Sequence, residues 1–129
     1  MKNLNFMKRV TKEEAYLHLM DRIVHRKPLA YDSYQRECLY NPKLNGGCSI
    51  GAHLGNNYSP KMEGRAVDEL FFVFPNETSH FEDRESVFWL ELQRAHDRWA
   101  QGLLDEETWS RNAFRDGMRH LIAAAQLLA

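Results

Sequence analysis

A glycine-rich stretch set between amphipathic patterns limits this chain more than any other feature. From Arg36 to Leu70 it holds Gly46, Gly47, Gly51, Gly55 and Gly64 of the chain's seven glycines, and both cysteines, Cys38 and Cys48. Such backbone turns readily and lets another element or a ligand come close. The flanks follow helical spacing instead. Thr11 with Glu14 has the form of a capping box. Tyr16, Leu19, Met20 and Ile23 then predict a first helix through about His25, ended by Pro28. Phe81, Phe88, Leu92, Ala95 and Trp99 predict a helix over 81–99 that closes near Gly102. Asp105 caps a last helix whose apolar stripe is Trp109, Ala113, Phe114, Met118, Leu121, Ile122, Ala125 and Leu128.

Inside the glycine-rich stretch, Glu37–Tyr40 and Cys48–Ile50 read as strands of a hairpin around Asn41–Gly47, with Asn45-Gly46 as its turn signal. Centring it on Lys43 puts Cys38 opposite Cys48. A short helix is expected over 49–54, and Gly47, Gly51 and Gly55, four apart, would line one face for close approach. Ser59-Pro60 reads as a helix start, and Met62, Ala66, Val67 and Leu70 as a short amphipathic segment. Phe71–Phe74 reads as a buried connector or strand stopped by Pro75. Residues 1–10 are expected to form a loose arm or short strand. The expected fold is α+β: a mostly helical single small domain over 1–129, with one β-hairpin packed on three main helices.

The chain has 129 residues, of which 43% are hydrophobic, enough for a core without disulfide or metal staples. The longest apolar run, Leu70–Phe74, is far short of a membrane span, so no membrane partner is expected. Two cysteines and no apolar leader imply a reducing, cytoplasmic setting. Residues 1–27 carry seven basic and three acidic groups (+4), and residues 63–107 carry four basic and twelve acidic groups (−8). With a net charge of −1, a general nucleic-acid surface is not expected, and direct nucleic-acid binding is excluded from this reading.

Chemistry concentrates in few places. Cys38 and Cys48 could be buried apolar thiols, a disulfide or half of a metal site; no C-x-x-C or H-x-x-x-H pair completes a zinc set. Neither metal nor cofactor is therefore expected. Asn45-Gly46-Gly47-Cys48-Ser49 could present main-chain N–H groups to an anion, or serve only as a tight turn. It matches no nucleotide fingerprint. Arg36 and Arg65 flank it and could clamp a phosphate; Tyr40 could stack on a base. His96-Asp97 is a polar pair on a helix. No nucleophile elbow, metalloprotease helix or aspartate-rich loop is present, so catalysis is not the favoured reading.

Cys38-x-Tyr40, Gly47-Cys48-Ser49-Ile50-Gly51, Met62-Glu63-Gly64-Arg65 with Val67 and Leu70, and Leu92-Gln93-x-x-His96-Asp97 occur in this order. The series resembles a group of small bacteriophage and bacterial proteins carrying C-x-Y, C-A-I-G, M-E-G-x-x-V and L-Q-x-x-H-D. It covers about residues 11–100; Ser49 replaces the usual alanine, and Ala52-His53-Leu54-Gly55 departs from the expected aliphatic pair and Pro-Asp. The resemblance implies phage origin rather than a mechanism. Phage accessory proteins lacking catalytic motifs often disable host defence, some by sequestering nucleotide messengers. The resulting expectation is an anti-defence protein that binds a phosphate-bearing, nucleotide-like small molecule without catalysis, as a homo-oligomer. Its site residues would be Arg36, Tyr40, Asn45, Gly46, Gly47, Cys48, Ser49, Arg65 and His96. The alternative is a module that inhibits a host enzyme through its acidic helical half.

Overall fold

A computed structural model describes residues 8–32, 34–104 and 109–128. Helix α1 (Lys12–Val24) starts where the capping pair predicts, with the Thr11 hydroxyl accepting from the Glu14 N–H at 3.0 Å. It ends before Pro28, in a Schellman turn. Lys27 N–H bonds Arg22 O at 2.8 Å and Arg26 N–H bonds Ile23 O at 3.2 Å, with Arg26 left-handed at φ 51°.

A two-stranded antiparallel hairpin follows, β1 (Tyr31–Asp32) with β2 (Glu37–Cys38), and Tyr31 pairs with Cys38. Hairpin and strand β2 are as expected, but the partner strand lies upstream rather than at Cys48–Ile50. Asp32 decides this: its carboxylate accepts from the N–H groups of Tyr34 and Gln35, closing a local turn that needs no long loop. The downstream segment keeps one bond to this strand, Cys48 N–H to Leu39 O at 2.8 Å.

A 3₁₀ turn, Gly51–His53, stands where a short helix over 49–54 is expected; a second, Gly55–Asn57, follows it, and a third, Pro60–Met62, starts at Ser59-Pro60 as expected, capped by Ser59. Gly47 and Gly51 do permit close approach. A Cβ on Gly47 would lie 2.8 Å from the Gly51 carbonyl carbon, and one on Gly51 would lie 2.1 Å from Tyr40 O. Helix α2 (Val67–Val73) takes in most of the run read as a connector or strand, burying Val67, Leu70 and Phe71 and leaving Phe72 86% exposed. Its apolar residues fit a helical face as well as a strand, which a short run cannot distinguish.

Helix α3 (Phe88–Leu104) begins later than its apolar spacing predicts. Phe81 instead forms a parallel bridge with Val10, and the Ser86 hydroxyl accepts from Phe88 N–H to start the helix. Gly102 lies within α3, where a Cβ would meet the Phe114 ring at 2.5 Å. The expected Asp105 cap lies outside the described residues. Helix α4 (Trp109–Gln126) packs along α3 through Ala113, Gly117, Leu121 and Ala124. Met118 and Ile122, expected on that buried stripe, point outward. The core centres on Trp89, whose ring meets Phe71, Phe81 and Phe88 edge-on at 5.1–6.1 Å and whose indole N–H bonds Glu82 O.

Beside this core, His53 packs edge-on against His18 and Phe81, and His80 Nε2 lies 2.6 Å from His53 O. Burial, with the neighbouring histidines, pushes the His53 pKa down to about 4. An unfolded chain therefore takes up this proton first as pH falls. The stability present in full above about pH 6.5 is lost on the way down to about pH 4. About 3 kcal/mol is expected to disappear in that window. Urea unfolding near neutrality and near pH 4.5 should show a smaller acid loss for His53→Phe than for wild type. Identical losses would contradict the assignment.

Candidate functional site: an arginine-rimmed cleft

A cleft of about 290 Å³ opens between β2, the Gly64–Val67 segment and the middle of α3. Arg36, Cys38, Tyr40, Arg65, Gln93 and Asp97 line it, and Glu37 and Arg94 add one charge of each sign. Local rules place each wall. Arg36 is left-handed (φ 56°) at the end of the turn into β2. Tyr40 is fixed at three points: its N–H bonds Glu63 Oε1 at 2.9 Å, its hydroxyl donates to Arg65 O at 2.6 Å, and Gly51 packs on its backbone. Glu63 also accepts from Asn41 N–H and from the Tyr58 hydroxyl, so its carboxylate staples three segments together. Burial, followed by that carboxylate, pushes the Tyr58 pKa up to about 12.

The rim is cationic and unevenly committed. Arg65 bonds Glu69 Oε1 at 2.7 Å and Lys61 O at 3.0 Å, and sits 5.6 Å above the Phe74 ring. Arg94 makes a longer pair with Glu91 at 3.3 Å, and Arg36 has no ion-pair partner among the described residues. Two guanidinium groups can thus turn to a ligand without breaking a buried contact.

Deeper in, polar groups hold one another. Gln93 Nε2 donates to Asp97 Oδ1 at 2.7 Å, and His96 Nδ1 lies 2.9 Å from the same oxygen. His96 is fully buried, and burial lowers its pKa, so its ring is neutral and is not among the residues facing the cleft. Cys38 forms part of the wall and Cys48 lies buried behind it; both are free thiols. The hydrogen bond between these thiols, then burial, holds Cys38 far above the ordinary thiol range. Protonated thiols are poor nucleophiles and poor metal ligands. Among the described residues no group of three or more His, Cys, Asp or Glu is arranged to hold a metal.

Of the residues singled out in the sequence, Arg36 and Arg65 meet at this cleft; Tyr40 backs its wall but is fully buried, with its hydroxyl on Arg65 O, so it does not offer the ring face expected to stack on a base. Asn45, Gly46, Gly47, Cys48 and Ser49 do not line it, and His96 lies behind Asp97. The glycine bend is occupied by Arg22 from α1, only 5% exposed, whose Nη2 donates to Asn45 O and to Pro28 O, both at 2.8 Å. Two of the bend's amides are also spent internally, Gly47 N–H on Leu44 O and Cys48 N–H on Leu39 O. Sequence reasoning missed Gln93 and Arg94 as wall residues and Arg22 as the plug. The first two sit one helical turn from Asp97 and Leu90, a spacing that could have placed them beside His96-Asp97 on α3.

Several of these residues touch one another: Tyr40 packs on Gly51 and bonds Glu63 and Arg65 O, Cys38 meets Cys48, and Gln93 and His96 bond Asp97. The chain matches no family model, no curated protein and no solved structure.

Proposed function

We propose that this protein binds one phosphate-bearing, nucleotide-derived small molecule in the arginine-rimmed cleft and sequesters it without chemical change, as a phage accessory protein acting against a host defence. The observation that carries this reading is the meeting of Arg36, Arg65 and Arg94 on one concave surface, backed by the buried Tyr40. Forked guanidinium donors suit phosphate oxygens, and Asp97 at the cleft floor suits sugar hydroxyl or base amino donors. A volume of about 290 Å³ falls at the lower edge of the roughly 300–1,000 Å³ usual for ligand sites, which favours a single nucleotide over a dinucleotide. Sequestration rather than turnover is supported by the buried, neutral imidazole of His96 and by the protonated Cys38 thiol at the wall.

Calorimetry with AMP, ADP-ribose, a cyclic dinucleotide and inorganic phosphate tests the proposal. AMP or ADP-ribose is expected to bind with micromolar affinity. Arg36→Gln and Arg94→Gln should each weaken it about tenfold, or about 1.4 kcal/mol, without lowering Tm. Silence from all four compounds with a folded sample would end this reading.

A further inference from the structure

Two surfaces lie outside the cleft and complement each other. The first is a groove of about 560 Å³ between α2 and the start of α3, with apolar walls from Phe72, Pro75 and Val87, carboxylates at Asp68 and Glu85, and one cation, Arg84, whose guanidinium donates to Pro75 O and Thr78 Oγ1. Phe72 and Val87 are exposed. The second is the outer face of α4, where Met118 and Ile122, one turn apart, are 46% and 53% exposed. Arg111, Arg115 and Arg119 run along the same face at four-residue spacing, all exposed and without an ion pair among the described residues. Like charges so spaced weaken the helix that carries them. The other charged groups of α4 do not relieve them, since Asp116 pairs with Arg98 and His120 with Glu91 of α3.

We propose that these surfaces are the two halves of one contact between copies of this chain. The α4 ridge of one protomer lies in the α2–α3 groove of the next, Met118 and Ile122 against Phe72 and Val87, Arg115 and Arg119 toward Asp68 and Glu85. Within one chain the two cannot meet, because α4 is held on α3 by its opposite face, through Ala113, Gly117, Leu121 and Ala124. A second copy fits better than a nucleic-acid backbone. Phosphates would engage the arginines and leave the apolar pair in water, and the −8 segment would repel them. The contact joins unlike patches, so it closes as a two-fold dimer only where each copy's ridge and groove engage the same partner, and otherwise builds rings or chains.

Sedimentation velocity over a range of concentrations and salt tests this. Mass should rise with concentration at low salt and fall toward the monomer at high salt. The double variants Arg115→Glu/Arg119→Glu and Asp68→Arg/Glu85→Arg should each be monomeric and keep the wild-type melting profile. An equimolar mixture of the two should associate again, because every ridge then finds a groove of opposite charge. A wild-type protein that stays monomeric throughout, or a mixture that fails to associate, overturns the proposal. So does a monomer whose arginine ridge instead binds random duplex DNA.

Discussion

Gly51→Ala is expected to cost more than about 3 kcal/mol, above the usual range for overpacking a core. The new Cβ would fall 2.1 Å from the oxygen, 2.6 Å from the carbonyl carbon and 2.7 Å from the Cα of Tyr40, all backbone atoms. Tyr40 cannot step aside, because Glu63 holds its N–H, Arg65 O holds its hydroxyl, and its ring is fully buried. Since Tyr40 also walls the cleft, surviving protein should bind AMP more weakly. Gly46→Ala is the control. There a Cβ meets only Arg22 Nη2 at 3.7 Å, and the cost is that of a left-handed alanine, about 1 kcal/mol. Urea unfolding separates the two. Equal stabilities would mean that Tyr40 does not press on Gly51.

Arg22→Ala is the second large effect, about 3 kcal/mol. Two hydrogen bonds from a charged donor are lost, each worth about 1.5–3 kcal/mol. The carbonyls of Pro28 and Asn45 lose their partner in a partly buried setting. Part of the loss is returned, because Nη1 has no partner and burial already penalises the charge. Amide exchange at Gly47 and Cys48 should quicken, while exchange within α4 should follow only the global loss. A change below about 1 kcal/mol would show that the bend holds itself.

Much of the frame can be read from single residues. Thr11 and Glu14 locate the start of α1, and Ser59-Pro60 the start of a 3₁₀ turn. Four-residue glycine spacing anticipates close backbone approach at Gly47 and Gly51. What misleads is competition between signals of equal form. Asn45-Gly46 is a strong hairpin signal, yet the Asp32 turn closes a shorter loop, and β2 pairs upstream. Phe81 has the right spacing for α3 and is claimed by Val10 instead. The α4 stripe mixes buried Ala113 and Leu121 with exposed Met118 and Ile122, because apolar character alone does not say which face meets α3.

The site divides along the same line. Arg36 and Arg65 are legible as partners because short-range chemistry names them, and tertiary packing brings them together, while Tyr40 is drawn fully into the wall behind them. The glycine bend looked like an anion cradle because free amides and a helix start are all that sequence displays there. A cationic side chain arriving from α1, 23 residues away, is a long-range event that local pattern does not record.

The most direct measurement is a two-dimensional amide NMR titration of the labelled protein with AMP. Shifts are expected at Arg36, Cys38, Tyr40, Arg65, Gln93 and Arg94, saturating together, with Gly46 and Gly47 unmoved. Shifts led by Gly46, Gly47 and Ser49, with Arg36 and Arg94 silent, would put the anion in the bend and contradict this account.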